Sequence, residues 1–200
     1  MAITSKLLRP FRRYLRDDSA SVTVEAVMIF PILIWGYFGM FMLFDAYRAV
    51  SSNIRVSYTI SDLLSREEHG VDAAYIEGLN NIQEVLTQTP ERTVLRVSSV
   101  QYDLDNDEYI LGWSYSTTGQ DAIEQADMAE AIVPYMPPMQ DGSYMIVVET
   151  WMVYVPFMNI TIDELFESEE ENDGIQFGPF FFEALVTTKP RTFPKLIFES

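Results

Sequence analysis

Residues Val22 to Phe44 read VTVEAVMIFPILIWGYFGMFMLF, an apolar run with a single ionisable side chain, Glu25. At about 1.5 Å per residue a helix over this run is about 35 Å long, enough to cross a hydrocarbon core of about 30 Å. The alternative is a core helix of a soluble domain. Such a helix usually has one polar face, whereas this run is apolar on every side. The run therefore predicts a transmembrane helix.

The charges on either side of the run predict its orientation. The first sixteen residues contain five basic side chains and no acid: Lys6, Arg9, Arg12, Arg13 and Arg16. Cytoplasmic flanks of membrane spans are enriched in Lys and Arg. We therefore expect residues 1–20 to form a basic cytoplasmic leader, residues 21–45 the span, and residues 46–200 an extracytoplasmic, periplasmic domain.

A cleaved secretory signal is the rival interpretation of the same run. Its apolar region is only about 7–15 residues long and ends at a small-x-small cleavage site. Here no such site occurs until Ala46 and Ala49, the first alanines after the apolar run. We expect the span to be retained in the mature protein and to contact the lipid bilayer.

Charge is distributed unevenly along the chain, whose net charge is −17. Five of the 13 basic residues lie in the leader, so from Ser21 onward eight basic residues stand against 28 of the 30 acidic ones. This body of about −20 repels phosphate backbones. We predict that the protein does not bind nucleic acid.

Several kinds of catalytic and cofactor site are excluded by composition. The chain has no cysteine, which excludes disulfides and thiolate chemistry, and its only histidine is His69. We interpret His69 as a polar residue at the end of a helix. The sequence also lacks a phosphate loop, a nucleophile elbow and paired metal-ligand motifs. We predict a protein that is not an enzyme and uses no cofactor.

Two residues of the apolar run are unusual for a simple anchor. Glu25 places an acid at its cytoplasmic edge, where a charge is costly relative to a neutral residue. Pro31 lacks an N–H and its ring clashes with the preceding turn, so we expect it to kink the helix or loosen its first turns. Taken singly, either residue can be incidental.

Together with the residues before them they form a known pattern. The stretch from Arg16 to Pro31, RDDSASVTVEAVMIFP, resembles the N-terminus of the TadE-like family, the TadE and TadF minor pseudopilins of the tight-adherence (Flp) pilus system. Members of that family have a short basic leader, a glutamate that opens the apolar segment, and a proline shortly after it. A prepilin peptidase removes the leader, and the resemblance implies a cut between Ala20 and Ser21. Most prepilins have glycine where this chain has Ala20.

The glutamate also has a physical rationale. Cleavage would leave an α-amine on Ser21 that is largely protonated at neutral pH. Glu25 lies one helical turn away on the same face, so it can pair with its own terminus, or with the terminus of a neighbouring subunit in an assembling fibre. Family membership further implies partners among the other minor pilins, the inner-membrane platform and the major pilin, and a location in the bacterial inner membrane.

The rest of the chain predicts an α+β domain. The helix continues from Val22 to about Glu67, its second half packed on a small antiparallel sheet, as in pilins, with apolar residues along two adjacent sides. The first side has Tyr47, Val50, Ile54 and Tyr58 and continues to Asp62 and Ser65, and the second has Val56, Ile60, Leu63 and Leu64. A second helix runs from the cap Asp72 to about Gln88, with Ala73, Ile76, Leu79, Ile82, Val85 and Leu86 inward.

Alternating apolar residues then predict strands. A hairpin is expected from Thr93–Tyr102 and Tyr109–Thr117, with Gly112 at a bulge or a close contact. A helix over 121–133 follows, then a central strand over Tyr144–Val155 and a closing strand over Phe180–Thr188.

Three other clusters have residues of the kind found in binding sites. Asp103, Asp105 and Asp107 copy the first ligand positions of a calcium loop, but the loop lacks its glycine and its final glutamate, so a solvated hairpin turn is the better interpretation. The acidic run 163–173 can hold a cation or bind a basic partner, and we interpret it as a surface loop. Phe177 and Phe180–Phe182 are assigned to the core, with an exposed patch for subunit contact as the alternative.

Three hypotheses follow from these residues. The first is a minor pseudopilin that takes part in pilus assembly. The second is an unprocessed single-pass envelope protein whose acidic domain binds a protein partner. The third, a membrane-tethered enzyme, is disfavoured by the single histidine and the missing motifs.

Overall fold

A computed structural model describes residues 18–89, 92–156 and 179–199, with side chains from residue 22 onward. The leader to residue 17, the acidic run 163–173 and Phe177 lie outside the described residues. By its internal contacts the chain divides into two units, Met1–Asp45 and Ala46–Ser200.

The fold is α+β, a long N-terminal helix packed on a four-stranded antiparallel sheet, as predicted. Helix α1 spans Asp18–Arg66 and α2 spans Ala73–Thr87. Strands β1 and β2, Val94–Asp103 and Glu108–Ser116, form the predicted hairpin. A short helix α3, Met128–Ala131, and a 3₁₀ turn, Val133–Tyr135, precede β3, Tyr144–Tyr154, and β4, Phe180–Thr188. The strand order β2-β1-β3-β4 makes β3 an interior strand, which confirms its predicted central position.

The second half of α1 lies on one face of the sheet. Its buried apolar side chains, Val56, Ile60 and Leu64, join α2 and the β1–β3 pair in one core. Of the two predicted apolar sides, only the second is buried, and Leu63 within it is exposed. On the first side Tyr47, Ile54 and Tyr58 are exposed, whereas its last residue, Ser65, is buried. Small polar residues complete the buried stripe: Asn53, Ser57, Ser61 and Ser65.

Helix α2 has its predicted bounds but not its predicted inner face. Asp72 accepts a 2.7 Å hydrogen bond from the Tyr75 backbone N–H, and Gln88 ends the helix in the left-handed region. Ile76 and Leu79 are buried, whereas the apolar residues of its last two turns are exposed: Ile82, Val85 and Leu86. Polar Gln83 is buried instead, because its Nε2 donates to the Trp151 carbonyl.

The predicted helix over 121–133 is wrong for its first part. Gln125 accepts a 2.7 Å hydrogen bond from the Leu111 N–H, and its Nε2 donates to the Tyr109 carbonyl at 2.8 Å. These bonds satisfy backbone groups of edge strand β2, so the segment lies along that edge instead of coiling. Only Met128–Ala131 are α-helical.

Gly112 is the bulge that the sequence predicts. Ser99 pairs with Trp113 and Val100 with Leu111, so Gly112 is left over between them. A Cβ at Gly112 would lie 3.2 Å from the Ser99 carbonyl oxygen, so the close approach of the two strands favours glycine.

The predicted core position of the phenylalanines is wrong for two of them. Phe180 and Phe181 are 41% and 76% exposed. Phe180 stacks with Phe182 and Tyr154 on one face of the sheet, and Phe181 lies on the other face because side chains alternate along a strand.

Candidate functional site

The first half of α1 is apolar on all sides, and its most apolar stretch is not covered by any other described part of the chain. From Val22 to Phe44 its large apolar side chains, except the half-buried Met42, are exposed, most of them by more than half, and the most apolar stretch of the helix is 0% buried. By length and composition this helix can cross a membrane. An apolar surface of this size is stable in lipid and not in water.

The residues predicted for processing and assembly lie at the start of this helix. Ala20 and Ser21 fall in its first turn, and Glu25 is an exposed acid among exposed apolar neighbours. Helical geometry puts positions 21 and 25 one turn apart on the same face. Pro31 lies inside the helix, and the helix continues through it.

Asp103, Asp105 and Asp107 lie at the hairpin turn between β1 and β2. Asp103 accepts hydrogen bonds from the Asn106 side chain at 2.8 Å and from the Asp105 N–H at 2.9 Å, and the Asn106 bond lowers the pKa of Asp103. Asp107 accepts a 2.6 Å bond from the Tyr102 hydroxyl, which raises the pKa of Tyr102 to about 12. Among the described residues no three His, Cys, Asp or Glu side chains converge to hold a metal ion.

His69 lies in the loop after α1. Its ring is exposed, and Nδ1 is 3.8 Å from a carboxylate oxygen of Glu67. Glu67 itself receives the backbone N–H groups of Glu68 and His69, at 3.1 and 3.3 Å. The Tyr75 hydroxyl also donates to Glu67 and lowers its pKa.

A cleft of about 420 Å³ opens beside this loop. One wall is the loop itself, including Glu68 and His69, and the other comes from the C-terminal residues, including Phe193 and Lys195. The C-terminal segment is held there by backbone pairing, since the Val71 N–H donates to the Ile197 carbonyl and the Glu199 N–H donates to the Val71 carbonyl, both at 2.8 Å.

A buried ion pair, which sequence reasoning missed, lies on the sheet face opposite α1. Arg96 donates two hydrogen bonds of 2.7 Å to Glu149, whose residue is 2% exposed. The guanidinium also lies 4.9 Å from the ring centre of Trp151 and donates to the Asp121 carbonyl. The available signal was a charge within each of two apolar strands, at positions that pair directly in the sheet. Such a pair favours one strand register, because breaking it leaves a buried charge.

The described residues therefore define a class of protein, an α+β domain joined to one helix that is long and apolar enough to cross a membrane. No family model, curated protein or solved structure matches the chain.

Proposed function

We propose that the protein is a TadE-like minor pseudopilin that takes part in assembling a bacterial Flp/Tad adhesion pilus. In this role α1 anchors it in the inner membrane, with the N-terminus cytoplasmic and the acidic domain periplasmic. The observation that carries the proposal is Glu25, an acid at the start of a helix whose first half suits lipid and whose second half carries an α+β domain.

Processing explains the position of Glu25. A prepilin peptidase hydrolyses the peptide bond between Ala20 and Ser21, which leaves a carboxylate on Ala20 and an ammonium on Ser21. An ammonium beside lipid is costly unless a carboxylate pairs with it. Glu25 supplies that carboxylate, either to its own chain or to the next subunit, and in the second case it sets the axial register between subunits. The other minor pilins, the inner-membrane platform and the major pilin are the expected partners.

The N-terminus of the protein from its native host tests the processing step. We expect N-terminal sequencing and intact mass to show a chain that starts at Ser21. A full-length chain, in a host whose prepilin peptidase is active on other substrates, would contradict the proposal. That result would favour the unprocessed envelope protein whose acidic domain binds a partner.

A Glu25→Ala variant tests the assembly role. Removing the carboxylate leaves the helix apolar, so we expect normal membrane insertion but loss of piliation. Glu68→Ala, which removes an exposed acid from the loop after α1, is the matched control and should assemble normally. Normal piliation of Glu25→Ala would refute the assigned role.

A further inference from the structure

One end of the domain has a concentration of exposed apolar side chains. It comprises six residues from α1, the end of α2, the position just after β3 and the start of β4: Tyr47, Val85, Leu86, Val155, Phe180 and Phe181. Phe181 is 76% exposed and Val85 is 74% exposed. We call this set the apolar end. Exposed apolar groups that cluster in this way mark a contact surface more often than scattered ones do.

Contacts within the domain place these six residues together. The Ser52 hydroxyl on α1 donates to the Leu86 carbonyl at the end of α2. The Thr89 hydroxyl, just after α2, donates to the Val153 carbonyl of β3 at 2.8 Å. Val153 pairs with Phe181 and Tyr154 pairs with Phe180. The end of α2, the end of β3 and the start of β4 therefore meet.

The apolar end is also the end at which α1 enters the domain. Ser57 on α1 contacts Thr150 on β3, and Ser65 accepts a hydrogen bond from the Arg191 N–H just after β4. Starting from the contact between Ser57 and Thr150, β3 runs about 13 Å to Tyr154, at about 3.3 Å per residue. From the same contact, α1 runs about 16 Å back to Ala46, at about 1.5 Å per residue. Tyr154 and Phe180 thus lie near the level of Ala46.

The membrane surface must lie close to Ala46 if α1 is the anchor. The apolar run ends at Phe44, and the chain between Phe44 and Ala46 reaches at most about 7 Å. This bound follows from chain length alone. It brings the apolar end of the domain within reach of the lipid headgroups.

A cluster of carboxylates lies at the other end of the sheet. Pairing of Val94 with Trp151 and of Gln101 with Tyr144 puts the β1–β2 turn at the far end of the sheet from the six apolar residues. That turn contains Asp103, Asp105 and Asp107, and Asp141 accepts a hydrogen bond from the Leu104 N–H. We call this the acidic end. The carboxylates of this turn and the apolar end therefore lie at opposite ends of the sheet.

We propose that the apolar end lies on the lipid surface from which α1 emerges, with Phe180 and Phe181 in the headgroup layer. Aromatic side chains are enriched at that depth of a membrane, and an exposed cation such as Arg48 is suited to the phosphates there. The domain is thus fixed to the bilayer at two places, by the span and by its own apolar end, and its acidic end points away from the bilayer. This inference rests on the membrane anchor of the proposed function.

Site-directed spin labels test the inference cleanly, because the chain has no cysteine of its own. Three single-cysteine variants of the full chain, Phe181→Cys, Leu104→Cys and Leu33→Cys, are labelled in lipid nanodiscs. Power saturation then compares the accessibility of each label to oxygen, which concentrates in lipid, with its accessibility to a nickel chelate, which stays in water. Leu104 is the matched control, an apolar residue that is 61% exposed at the acidic end.

We expect the logarithm of the oxygen-to-nickel ratio to be positive at positions 181 and 33 and negative at position 104. A negative value at 181 with a positive value at 33 would overturn the inference and leave the anchor in place. Negative values at both positions would refute the anchor, and with it the proposed function. Low accessibility to both reagents at 181 would mean a protein contact at the apolar end and would also overturn the inference.

A fourth label keeps the aromatic residues intact. Val85→Cys is expected to give a positive ratio in the otherwise native chain. Adding Phe180→Ser and Phe181→Ser should lower that ratio, because the aromatic pair helps to hold this end in the headgroup layer. An unchanged ratio at 85 would refute the role of the two phenylalanines. Circular dichroism of each variant checks that the domain is folded.

Discussion

The two halves of α1 are one helix with two kinds of surface. Between Val22 and Phe44 large apolar side chains are exposed on every side. Between Ala46 and Arg66 the buried residues other than Leu64 are small, polar or β-branched, while Tyr47 and Tyr58 are exposed. In the first half every side of the helix is apolar and exposed. In the second half apolar side chains lie on both the buried and the exposed sides, so apolarity alone does not show which side packs on the sheet.

The difference arises from how closely the helix approaches the sheet. Ser57 packs on Thr150 with its hydroxyl bonded to that residue, and it also donates to the Asn53 carbonyl one turn back at 2.8 Å. The Ser65 hydroxyl likewise donates to a carbonyl of its own helix, that of Asp62. A serine hydroxyl satisfied by its own helix can be buried at little cost, so a helix with serines can lie close to the sheet.

Ile60→Ala is the strongest test of the comparison between the two halves. Ile60 is 0% exposed in the core between α1 and the sheet, so truncation leaves a cavity and should lower the free energy of unfolding by about 2–5 kcal/mol. Leu33→Ala, which removes an apolar side chain that is 63% exposed in the first half, should leave the unfolding of the domain unchanged.

Denaturant unfolding of the full chain in detergent, followed by tryptophan fluorescence, measures both variants. Trp113 and Trp151 report on the domain, whereas Trp35 lies in the apolar half. Equal losses in the two variants would show that both halves of α1 pack on protein, and would contradict the distinction drawn between them.

Asn53→Leu tests the polar side of the sheet-packed half. Asn53 is 1% exposed, and neither atom of its side-chain amide has a hydrogen-bond partner among the described residues. Replacing an unsatisfied buried amide with an apolar group of related shape removes a desolvation penalty. We expect a gain of about 1 kcal/mol in the free energy of unfolding.

Ser57→Val is the contrasting substitution for that test. It removes a hydroxyl that is satisfied and leaves Thr150 with only its weaker bond to the Ala184 carbonyl, so it should destabilise the domain. If Asn53→Leu is as destabilising as Ser57→Val, the Asn53 amide is satisfied in solution and the prediction is wrong.

Sequence reasoning succeeded where one physical effect dominates. The apolar half of α1, the hairpin, the bulge at Gly112 and the central position of β3 each follow from periodicity or from one residue's conformational preference. The α2 bounds follow from the Asp72 cap for the same reason. These effects are local, and tertiary contacts do not override them.

Sequence reasoning failed where a tertiary contact determines the local structure. Gln125 fits a helix over 121–133, but its amide satisfies two backbone groups of an edge strand that is remote in sequence. The pairing of Arg96 with Glu149 likewise depends on strand register, which sequence alone does not set. Ile82, Val85 and Leu86 fit an inward face, yet their side chains are exposed and the polar Gln83 is buried in their place.

The smallest predicted effect on stability concerns the hydrogen bond between Tyr75 and Glu67, just after the end of α1. The Tyr75 hydroxyl donates to Glu67 just beyond the helix, which lowers the pKa of Glu67, while burial and this bond raise the pKa of Tyr75 to about 12. A depressed carboxyl pKa stabilises the fold above the unfolded-state pKa of about 4.3, and this stability is lost as pH falls through the folded-state value.

Tyr75→Phe should therefore raise the pKa of Glu67 towards its ordinary value, as measured by NMR titration of its side chain. It should also lower the melting temperature slightly at pH 7 and by less at pH 3, where the carboxyl is increasingly protonated. The raised pKa of Tyr75 matters at alkaline pH. The native protein loses stability as pH rises from about 10 towards 12, because the tyrosine ionises more readily in the unfolded chain. The Tyr75→Phe variant has no hydroxyl to ionise and does not show this loss. Tyr58→Phe, at an exposed position on α1, is the control and should leave the melting temperature unchanged at both acidic and alkaline pH. The same pKa for Glu67 in Tyr75→Phe and the native chain would show that the loop, and not Tyr75, sets the charge at the end of α1.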